Sequence, residues 1–102
     1  MAFGPEFPER FEREQSVSEA DWLRCLPGAV RGHALALPAP AQAQVSIGAG
    51  MLELGWTMLP PRRLGTVQLP RMAVRYAFDG VDAAARREFM RYFDLYMQRG
   101  GG

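Results

Sequence analysis

The 102-residue chain has no lysine, a single cysteine, a single histidine and no long uninterrupted apolar run, and each shortage closes off a class of chemistry. Cys25 alone permits neither an intrachain disulfide nor a thiolate metal cluster. With His33 as the only imidazole, zinc has no convincing ligand set, and a nucleophile–base–orienter constellation has only that one residue to serve as base. The missing lysine removes the residue a P-loop requires, so the glycine-bearing segment Ser46-Ile47-Gly48-Ala49-Gly50-Met51 is read as a hairpin turn. The most apolar stretch, from Ala34 to Leu59, is broken by Pro38, Pro40, Gly48, Gly50, Glu53 and Gly55 and cannot make one membrane-spanning helix. The beginning, MAFGPEFPERFEREQ, places acids and prolines where a secretory signal has a basic start and an apolar run, so a cytoplasmic location is expected.

What is present is ordinary for a globular chain: 48% hydrophobic and 23% charged residues. A domain of this size buries roughly 60–70% of its unfolded surface, enough for one modest core. The charge is uneven although the net charge is only +1. Six acids against Arg10 and Arg13 make residues 1–21 acidic, and the remainder is correspondingly basic. General nucleic-acid binding is therefore not expected, whereas a local anionic partner is compatible with the basic part.

The pattern predicts an α+β domain. Residues 1–15, with Pro5 and Pro8 among charges and Phe3, Phe7 and Phe11, read as an extended acidic N-terminal arm whose aromatics dock on the domain. Ser18 to Asp21 is a capping-box variant opening a short helix over Glu19–Leu26, stopped by Pro27 and Gly28 and burying Trp22. From His33 the period becomes two, giving candidate strands His33–Leu37, Ala43–Ile47, Met51–Met58, Leu64–Leu69 and Arg71–Phe78. Leu52, Leu54, Trp56 and Met58, and likewise Met72, Val74, Tyr76 and Phe78, put their apolar side chains on one face. Asp79-Gly80 marks a turn, Asp82 an N-cap, and Ala83–Gln98 a helix whose Ala85, Phe89, Tyr92, Phe93, Tyr96 and Met97 share a face. The expected architecture is a short N-terminal helix, a four- to five-stranded antiparallel sheet and a C-terminal helix packed on one sheet face. The domain proper spans 16–99, and Gly100–Gly102 form a tail.

No residue set points to catalysis. Cys25 reads as an apolar filler of its helix, and His33 as the start of a surface strand. Asp79 belongs to a turn, Asp82 caps a helix, and Glu88 and Asp94 fall on or near the solvated side of the last helix. Glu53 is expected to form a cross-strand ion pair with Arg71 or Arg75. The candidate ligand-binding residues are Arg62, Arg63, Arg71 and Arg75, two of them on the uncovered side of a strand and two in a loop stiffened by Pro60-Pro61. The expectation is a non-enzymatic binding or adaptor module, without cofactor or metal, meeting an unknown protein or a small anionic ligand. The aromatic-rich last helix also leaves room for a symmetric homodimer.

Two local resemblances bear on function. The segment around Gln44, Ser46 and Gly50 is similar to the PilZ cyclic-di-GMP modules, in which an Asp or Asn, then Ser, then Gly precede an alternating strand. Here Gln44 stands for the acid or amide, Gly50 is one place late, and Arg10 with Arg13 is one residue short of that family's arginine spacing. This resemblance implies a ligand-responsive nucleotide binder as the alternative function. The ending Arg99-Gly100-Gly101-Gly102 is similar to the tails of ubiquitin-like modifiers and sulfur carriers, although there the tail leaves a strand and here it follows the strongest predicted helix.

Overall fold

A computed structural model describes residues 7–100. The elements in chain order are β1 (Arg10–Gln15), α1 (Glu19–Ala29), β2 (Leu35–Ala36), β3 (Gln42–Ile47), β4 (Gly50–Leu64), β5 (Val67–Asp79) and α2 (Ala83–Gly100). The five strands form one antiparallel sheet in the order β1-β5-β4-β3-β2. Both helices lie on the same face, as the alternation of β4 and β5 requires: Trp22 of α1 meets Trp56, while Phe93 and Phe89 of α2 meet Tyr76 and Phe78 edge-on. This is the α+β arrangement expected. No helix among the described residues is long and apolar enough to cross a membrane.

The end signals act as local chemistry dictates. The Ser18 hydroxyl accepts from the amide of Asp21 at 3.2 Å, and the Asp82 carboxylate accepts from that of Ala85 at 2.8 Å. The two-residue hairpin turns begin with Gly48 at φ 58° and Gly65 at φ 63°, conformations open to glycine without penalty.

Several boundaries differ from the sequence reading. α1 runs through Pro27 and Gly28 to Ala29, and the amide of Val30 still reaches the carbonyl of Leu26. Gly28 acts by size: a side chain there would collide with the ring of Tyr96 on α2, so the glycine lets the two helices close together. Leu64–Leu69 is no separate strand, because Gly65-Thr66 is the turn at its centre, and β4 continues through Pro60-Pro61 with a register shift between Leu59 and Arg62. Beyond Leu59 and Arg71, β4 and β5 pair only with each other and project as a two-stranded arm, whose tip residues Leu64 and Val67 are 52% and 53% exposed. The segment read as an extended arm contributes β1, paired along its length with β5, with Phe11 stacked on Tyr76 at a centroid separation of 4.6 Å. Phe7 packs against the core, while Phe3, Gly101 and Gly102 lie outside the described residues.

Candidate functional site

The face of the sheet away from the helices carries Arg10, Glu12 and Glu14 of β1, Arg71, Ala73, Arg75 and Ala77 of β5, Glu53, Gly55 and Thr57 of β4, and Gln42 and Gln44 of β3. Read across the strands, one row is Arg10, Ala77, Glu53 and Gln44; the next is Glu12, Arg75, Gly55 and Gln42. Polar residues therefore surround two positions, Ala77 and Gly55, that have almost no side chain. The result is a hollow of about 660 Å³, floored by these small residues and walled also by Pro38.

Arg75 is the centre of this hollow. A Cβ on Gly55 would lie 2.9 Å from Arg75 Nη2, so the glycine is what allows the guanidinium to lie across the neighbouring strand. A glycine in a strand interior weakens the strand and marks sites of close approach. Arg75 donates through Nη1 to Thr57 Oγ1 at 3.2 Å, and no carboxylate among the described residues lies within ion-pair distance of it. Glu53 faces Ala77 and Gln44 across the strands, not an arginine, and makes no ion pair there, which corrects the cross-strand pair expected for it. Just before β3, Ala41 has φ 62°, a left-handed conformation that strains a residue with a Cβ.

The other three candidate arginines are spread along the way from the hollow to the arm. Arg71 forms a two-pronged pair with Glu14, with Nε and Nη2 each 2.9 Å from a carboxylate oxygen, and donates to the carbonyl of Pro60. The hydrogen bonds from Arg71, aided by its charge and that of Arg62, hold the Glu14 carboxyl below its ordinary range; Glu14 in turn raises Arg71. Arg62 thus shares this face with Arg71, whereas Arg63 is next to it in the arm, where β-alternation directs it to the other side. The four are not one cluster. They follow a stretch from Leu54 to Phe78 with four arginines and no acid.

The inner face holds what the sequence reading missed. Arg13, counted there as part of an acidic arm, is half-buried between Asp94 and Tyr76. Its Nη1 and Nη2 donate to the two Asp94 oxygens at 3.1 and 2.8 Å, and Nη2 also donates to Tyr76 Oη. Asp94 is therefore not on the solvated side of α2. Burial works against the Arg13 charge, but the bonds and charge of Asp94 together with Tyr76 more than offset it and raise its pKa. Burial also raises the Tyr76 phenol, against the opposing pull of Arg13. The signal for this was present: Phe11, Arg13 and Gln15 alternate in phase with an inward-facing strand. Gly55 was legible too, as the one residue without a side chain in the middle of an alternating strand.

Arg10 and Arg13, the two arginines of the PilZ resemblance, point to opposite faces of β1, and Arg13 is held by Asp94. Cys25 is buried in α1. His33 lies just before β2 with its ring 5.7 Å from that of Phe89. Among the described residues no three His, Cys, Asp or Glu side chains are grouped to hold a metal. Searches of known families, curated proteins and solved structures find no match to this chain.

Proposed function

We propose that this is a non-enzymatic binding module whose open sheet face receives an extended acidic segment of a protein partner. The observation that carries the reading is the guanidinium of Arg75 laid across Gly55 in an uncovered hollow, bonded to Thr57 and to no carboxylate. A guanidinium presents its donors in a planar fork suited to a carboxylate. Arg10, diagonal to Arg75 on the adjacent strand, provides a second positive group, while Gln42, Gln44, Glu53 and Glu12 offer partners for the amides of an extended backbone. Further along the same face, Arg62 offers a cation beyond the Arg71–Glu14 pair.

The test is fluorescence anisotropy with a labelled peptide of alternating glutamate and alanine, at low and at high salt. The expected result is saturable binding that weakens with salt and falls by about tenfold, roughly 1.4 kcal/mol, in Arg75→Ala. Binding that ignores both salt and Arg75 would remove this face from consideration. A small anionic ligand is the neighbouring possibility, and a thermal shift with a phosphorylated metabolite or cyclic dinucleotide, in place of peptide binding, would identify it.

A further inference from the structure

The turn that ends α1 holds an arginine in backbone that favours glycine. Val30 caps the helix, and Arg31, the residue after it, has φ 52°, beside Gly32 at φ 82°. Glycine is the usual occupant of the left-handed position after a helix, and any other residue there is strained. What the arginine adds is its side chain. The Arg31 guanidinium lies 4.4 Å from the centre of the Tyr92 ring on α2, and no carboxylate among the described residues is within ion-pair distance of it.

Arg31 and Tyr92 both line a cleft of about 340 Å³ between this turn, the end of β3 and α2. Ala29, Ile47 and Phe89, all buried, form its apolar side, and the ring of His33 lies 5.7 Å from that of Phe89. Glu88 is a further wall, four residues before Tyr92 on α2, so the two are neighbours on the helix surface, about 5–6 Å apart at Cβ. Like Arg31 it is exposed, so both charges are open to a molecule in the cleft. Glu88 makes no ion pair with Arg31 or with any other described residue. The cleft therefore joins an apolar floor to one cation and one anion that are paired neither with each other nor with a neighbour.

That combination selects a ligand class. A purely apolar molecule would leave both charges unmatched, and a simple carboxylate would match Arg31 and leave Glu88 without a partner. The complementary ligand carries both signs, one turn of helix apart at most, beside an apolar group. We propose that this cleft binds a free α-amino acid with an apolar side chain, its carboxylate on the Arg31 guanidinium, its ammonium group on Glu88 and its side chain against Ile47 and Phe89. The site is on the helix side of the sheet, away from the hollow at Gly55, and stands independently of the function proposed there.

Leucine tests this on the full chain, followed by the backbone amide signals of Gly32 and Glu88 in a ¹⁵N-correlated proton spectrum. Both should shift and saturate while the amides of Gly55 and Ala77 stay in place, and glycine, which lacks the apolar group, should bind at least about tenfold more weakly. N-acetylleucine and leucinamide each lack one of the two charges, and each should bind about fivefold more weakly than leucine. Arg31→Gly removes the guanidinium and the backbone strain together, so its thermal midpoint should equal or exceed that of the parent while its leucine affinity falls to that of the parent for leucinamide. Arg75→Ala should bind leucine as the parent does. The proposal is overturned if leucine produces no saturable shift up to its solubility limit, if glycine, N-acetylleucine or leucinamide binds as tightly as leucine, or if Arg31→Gly keeps full leucine binding.

Discussion

The two faces of β4 differ by one residue of phase and in almost every other respect. Leu52, Leu54 and Trp56 are buried beneath the helices, whereas Glu53, Gly55 and Thr57 alternate with them on a face that no helix among the described residues covers. On the first face each side chain is fixed by many neighbours, as in the ring contacts of Trp22, Tyr76 and Phe89 around Phe93. On the second, a strand position is occupied by glycine and an arginine lies over it. The difference separates the residues that hold the fold from those free to meet a partner, because burial constrains the first group and leaves the second to electrostatics.

The sharpest way to break that comparison is on the buried face. Phe93→Ala should lower the unfolding free energy by about 3–5 kcal/mol in urea denaturation, through lost transfer energy and the cavity left behind. A loss under about 1 kcal/mol would mean that α2 does not pack as described. Arg13→Ala, at the margin of the same face, should cost about 1–3 kcal/mol by leaving Asp94 half-buried and unpartnered and by removing the guanidinium that lies over the Tyr76 ring.

Alkaline pH sharpens the comparison further. Burial raises the Tyr76 pKa in the folded chain, so its contribution to stability is complete below the unfolded value of about 10 and is lost as pH rises from there through the folded value. Urea midpoints should fall from pH 9 to pH 11, and Tyr76→Phe should flatten that fall. At the small end, Arg71→Ala on the open face should leave the thermal midpoint without a resolvable change, because its pair with Glu14 is exposed and screened.

Much of the fold was legible because its strongest signals are local. The period-two alternation of β4 and β5, the caps Ser18 and Asp82, and the glycine- and proline-free stretch of α2 each reflect short-range chemistry. The missed features depend on tertiary position. Pro27 and Gly28 read as a helix stop, yet the packing of Tyr96 turns Gly28 into a contact point inside α1. Pro60-Pro61 read as a loop, yet a bulge carries them within β4. Arg13 read as one more charge in an acidic arm because nothing nearby in sequence announces Asp94, which lies 81 residues away. For the candidate site, β-alternation placed Arg71 and Arg75 on the uncovered face. What it did not supply was Glu14, which occupies Arg71 and leaves Arg75 with Arg10 as the arginines around the hollow.

The central claim is that the hollow at Gly55 serves binding and not folding, and Gly55→Val tests it most directly. The backbone there is not in the left-handed region, and an added Cβ meets first the flexible end of Arg75, so the variant fills the floor by pushing that guanidinium aside. Measured on one preparation, its unfolding free energy should equal that of the parent or exceed it by about 0.5–1 kcal/mol, while affinity for the acidic peptide falls by at least about tenfold. Full peptide binding with the floor filled, or a loss of stability as large as that of Phe93→Ala, would contradict the account.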